Sequence, residues 1–79
     1  MYSVKRNGDV VALFMEESDA EEFRSWKVKE RWDELLEIKV LEYIVLAGGE
    51  KEDIPNDVLM MIDGAAEVEA NKLYVVVEE

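Results

Sequence analysis

The residues able to do chemistry are few in kind. Among 79 residues stand twenty Asp and Glu, nine Lys and Arg, no histidine and no cysteine. Two carboxylates can divide general acid and base work only where a cleft raises the pKa of one of them, and the acids of this chain stand in polar runs. Ser3, Ser18 and Ser25 have no histidine to take their proton, and Ser18 reads better as a helix cap. Without cysteine there is no thiolate nucleophile, disulfide framework or Cys-based zinc site; without histidine the commonest metal ligand and proton shuttle is missing. Glu50, Glu52, Asp53 and Asp57 offer oxygens of the kind calcium takes. They lack the Asp-x-Asp-x-Asp-Gly spacing and closing glutamate, so they read as a solvated acidic loop. The expectation is a non-enzymatic protein with no cofactor and no metal.

What the residues do supply is charge. The net charge of −11 is uneven: residues 1–49 carry seven bases against eleven acids, and residues 50–79 carry two against nine. Such a surface repels nucleic acid and anionic membranes and attracts basic proteins. Acids at alternate strand positions, as Glu67 and Glu69 would be, lie roughly 6–7 Å apart, a phosphate-like spacing. The candidate partner-binding surface is therefore Glu50, Glu52, Asp53, Asp57, Glu67, Glu69, Glu78 and Glu79, set to occupy the basic groove of a nucleic-acid-binding protein. Trp32 is the alternative contact, since tryptophan is enriched at binding hot spots, while Trp26 is assigned to the core.

These residues must be positioned by one domain, 1–79, near the lower size limit for a self-sufficient core. Asn7-Gly8 between Tyr2–Arg6 and Asp9–Met15 predicts a type I′ hairpin, with Val11, Leu13 and Met15 on the face of Tyr2 and Val4. Because Val10, Ala12 and Phe14 are apolar as well, the second strand reads as interior. Ser18 with Glu21 three residues on predicts a capped helix start, acids first and Arg24, Lys27, Lys29 and Arg31 after. The apolar phase slips near Val28. The helix is expected to end between Trp32 and Leu36, the alternative being one longer helix to about Glu37.

Residues 36–46 read as a strand because Glu37 and Lys39 alternate with Ile38 and Val40. Gly48-Gly49 follow as a tight exit, and Pro55 to Gly64 reads as a short helix. Ala66–Ala70 and Leu73–Val77 then form a second hairpin about Asn71-Lys72. The predicted class is α+β, a small mainly antiparallel sheet in the order β-β-α-β-(short α)-β-β with one main helix packed on it. One helix cannot cover both faces of such a sheet, so an edge-to-edge or face-to-face homodimer is a second reading.

The run Tyr2-x-Val4-x-x-Asn7-Gly8-x-Val10-Val11-Ala12-x-Phe14, then Ser18-x-Ala20-Glu21-x-Phe23, resembles small bacteriophage-type proteins in which a hairpin feeds an Ala-Glu-x-Phe helix. Small size, acidity and missing catalytic residues also resemble phage anti-defence proteins, including anti-CRISPR inhibitors. That resemblance implies an inhibitor that mimics nucleic acid and blocks a host nucleic-acid-handling protein such as a CRISPR effector. Its implied location is the host cytoplasm, in keeping with the missing signal-peptide core and the absence of any apolar run near the roughly 20 residues a bilayer needs. The alternative is a structural or regulatory interaction module that binds through an apolar surface around Trp32 or a sheet edge.

Overall fold

The computed structural model describes residues 1–79. Asn7 and Gly8 take the two positive φ angles, 51° and 85°, that a type I′ turn requires, and they join β1 (Tyr2–Arg6) to β2 (Asp9–Phe14). A third strand, β3 (Tyr74–Glu78), pairs with the other side of β1, giving an antiparallel sheet in the order β2-β1-β3. The class is α+β, with a long main helix α1 (Glu17–Ala47) and a second helix α2 (Asn56–Leu73).

The hairpin register corrects the expected faces. Arg6 pairs with Asp9 and Lys5 with Val10, but Val4 pairs with Ala12, so Val11 is an extra residue in β2. Because side chains alternate with period two, that bulge turns every following residue of β2 over. Tyr2 and Val4 therefore share the inner face with Phe14 and Ala12, and Leu13 points outward beside Val77 across Ser3. β2 is also an edge strand rather than an interior one.

The strand expected over 36–46 is helical. α1 runs unbroken to Ala47 and ends where the Gly48 N–H donates to the Ile44 carbonyl (2.8 Å), with Gly48 and Gly49 both at positive φ. Ser18 makes no cap: the helix begins two residues earlier than that cap implies, and Glu16 stands at the cap position. The second expected hairpin is helix too, since α2 continues through Gly64 to Leu73, so the sheet has three strands. Ala66 and Ala70, four residues apart and fully buried, let the two helices approach closely, which a strand would not use.

Arg24 secures the junction where α2 passes into β3 without a loop. Its guanidinium donates to the carbonyls of Asn71 (3.0 Å) and Tyr74 (2.9 Å), satisfying orphan acceptors at the negative end of α2. Val4, Ala20, Val28, Leu35, Ala66, Ala70 and Tyr74 form the core at this end. Only ten residues in the whole chain are buried. The body measures 49 × 19 × 13 Å, because both helices run on together well past the sheet.

Candidate protein-binding surface

The eight acids of the expected surface fall into separate places. Glu50, Glu52, Asp53 and Asp57 lie at the loop joining the helices, where the Glu50 N–H donates to Asp53 Oδ2 (2.9 Å). No three acidic side chains converge to hold a metal ion. Glu78 ends β3 and Glu79 follows it, at the opposite extreme of the rod. Glu67 and Glu69 are helical, so the strand spacing expected of them does not apply, and Glu69 is paired with Lys39 Nζ at 3.0 Å. Glu79 accepts the Ser3 hydroxyl at 2.6 Å and has Lys5 Nζ at 3.8 Å, which together hold its carboxyl below the usual carboxylate range. Tyr2 is pushed above its ordinary value of 10.0, chiefly by the charge of Glu78, with Glu17 and Glu16 adding.

The two tryptophans exchange their expected places. Trp32 is half-buried between the helices, and its indole N–H donates to Asp63 Oδ1 at 2.8 Å. Asp63 is the one acid of the chain that is not exposed. Trp26 is 59% exposed, stacked edge-on against Phe23. Sequence periodicity set both on amphipathic turns, and only the position of α2 decides which one is covered.

The surface that sequence reasoning missed lies on the second half of α1. Ala20 and Phe23 face the sheet: Ala20 is sealed against the core with Val4, and the Phe23 ring sits 5.4 Å from Phe14. Ile38 and Leu41 follow Ala20 and Phe23 by eighteen residues each, about five whole turns at 3.6 residues per turn, and Val45 stands about one turn beyond Leu41. They therefore continue the sheet-facing stripe beyond the end of the sheet, where nothing covers them. Val45 is 83% exposed and Leu46 87%.

Beside this ridge runs a groove of about 390 Å³, its apolar wall made by Leu36, Val40, Ile44 and Leu59. Leu41 borders both. Asp33, Glu37 and Glu42 rim the two features, and Lys51 is the single base among their lining residues. Such a surface can bury apolar side chains and attract cations around them. No helix is long and apolar enough to cross a membrane. No family model, characterised protein or solved structure matches the chain.

Proposed function

We propose that this chain is a non-enzymatic protein-binding module that docks a basic partner protein on the uncovered half of its helical hairpin. The observation that carries the reading is the continuation of the sheet-packing stripe as Ile38, Leu41 and Val45 past the sheet. Contiguous apolar surface rimmed by polar groups is the usual form of an interaction site. Charge selects the occupant. In a symmetric pairing about Leu41 the flanking Asp33, Glu37 and Glu42 of two copies would face one another, whereas an apolar helix flanked by Lys or Arg meets opposite charge on both sides.

The probe is an amphipathic helical peptide with leucine on one face and lysines beside it. Titrated calorimetrically, it binds the wild-type protein, and the pair Leu41→Asp and Val45→Asp weakens it at least tenfold, about 1.4 kcal/mol. A matching leucine and glutamate peptide does not bind. Equal affinity for both peptides, or for both protein variants, overturns the reading, and a concentration-dependent dimer in sedimentation replaces the basic partner by a second copy.

The nucleic-acid-mimic inhibitor is a second reading, favoured by a separate observation. Every Asp and Glu except Asp63 is exposed along a rod 49 Å long, while Lys5, Arg24, Lys27, Arg31 and Lys39 are each engaged with carboxylates or backbone carbonyls of the chain itself. On that reading a duplex-binding protein is released from DNA by this chain, and the competition weakens steeply with added salt. Competition indifferent to salt rules it out.

A further inference from the structure

We infer that the recess between β2 and the start of α1 is a receptor for one cationic side chain of a partner, an arginine before a lysine. The recess, of about 380 Å³, is lined by Phe14, Phe23 and Trp26 with Asp19 and Glu22. Asp19, Glu22, Phe23 and Trp26 recur at i, i+3, i+4 and i+7, so a single face of α1 presents both carboxylates and both rings, and Phe14 closes the far side from β2. The aromatic geometry is fixed: Phe23 lies 5.4 Å from Phe14 and 5.8 Å edge-on from Trp26.

The ring of Trp26 already attracts a cation. Lys27 Nζ sits 4.6 Å from its centroid and 5.8 Å from that of Phe23 while also lying 3.9 Å from Glu30, and Lys27 itself does not line the recess. What remains open is an aromatic wall beside two exposed carboxylates, neither of them in an ion pair. A planar guanidinium fits both demands, stacking on the indole and donating in a fork to carboxylate oxygens. An aliphatic side chain meets only the first of them, and an anionic one neither. The site uses no residue of the hairpin surface and stands apart from the docking reading.

Nuclear magnetic resonance of the full ¹⁵N-labelled chain tests this directly, because the protein has two indole N–H signals. A blocked Gly-Arg-Gly tripeptide shifts the Trp26 signal with a dissociation constant on the order of millimolar and leaves Trp32 in place. The same tripeptide with citrulline, which keeps the shape and loses the charge, shifts it at least about fivefold more weakly. Asp19→Asn with Glu22→Gln weakens the arginine peptide by a similar factor, and both substitutions are at exposed positions. A Trp26 signal unmoved by the arginine peptide, moved equally by citrulline, or unchanged in affinity by the double substitution overturns the proposal.

Discussion

Arg24 secures one end of α2, whereas Gly64 weakens its middle. The Arg24 guanidinium gathers two main-chain carbonyls at the α2–β3 junction. Arg24→Met keeps the stem and removes the donors, and should lower unfolding stability by about 2 kcal/mol, read from the urea midpoint. Gly64 sits inside α2 with open space where a Cβ would stand. Gly64→Ala should therefore raise stability by about 1 kcal/mol. Glu79, whose folded pKa is lowered, contributes stability above its unfolded pKa and loses it as pH falls through the folded value. Carbon-detected titration should show the Glu79 pKa rising toward the ordinary value in Ser3→Ala. Tyr2 has the opposite sign: its contribution is complete below its unfolded pKa and lost as pH rises through the folded one, and Glu78→Gln should bring its pKa down. Asn7-Gly8 was readable in the sequence because a two-residue turn depends on its own two residues. The Val11 bulge was not, since Val10 to Phe14 are apolar on both faces and the pattern chooses no register for them.

At the scale of elements, α1 carries two apolar stripes because two different things pack on it. The sheet meets Ala20 and Phe23; α2 meets Val28, Trp32 and Leu35 on another side. Read along the sequence, the overlap is a phase slip near Val28 and then apolar residues all round from Leu36 to Leu46, which looks like a helix stop followed by a strand. Alternation of Glu37 and Lys39 with Ile38 and Val40 strengthens that misreading, although Lys39 in fact turns toward α2 to meet Glu69. Glu67 and Glu69 mislead in the same way, while Ala66 and Ala70 at i, i+4 carry the helical signal. The class, the first hairpin and the final strand were legible because each has a local signature, and the start of the main helix was legible to within two residues, although the Ser18 cap was not the one used. The covering of α1 was not, because it depends on chain distant in sequence. If the stripe beyond the sheet is surface rather than core, Leu41→Asp with Val45→Asp should leave the thermal midpoint within a few degrees of wild type, since exposed substitutions stay near ±0.5 kcal/mol.

The whole molecule is a rod. Its Cα radius of gyration of 15.8 Å compares with about 12 Å for a compact chain of this length. Between Val40 and Ala66 only Ile54 is buried, so the hairpin tip has little to hold it, and amides of residues 41–58 should exchange with solvent ahead of those in β1 and the first half of α1. A tip of this kind gains order by being covered. On the proposed reading, the uncovered stripe and its acidic rim are one half of an interface. Amide exchange of the chain with and without the leucine and lysine peptide tests that account most directly. Protection should appear at residues 38–46 and along the facing turns of α2, and vanish in the Leu41→Asp, Val45→Asp variant. Protection confined to the outer sheet face around Leu13 and Val75, or none at all, would contradict it.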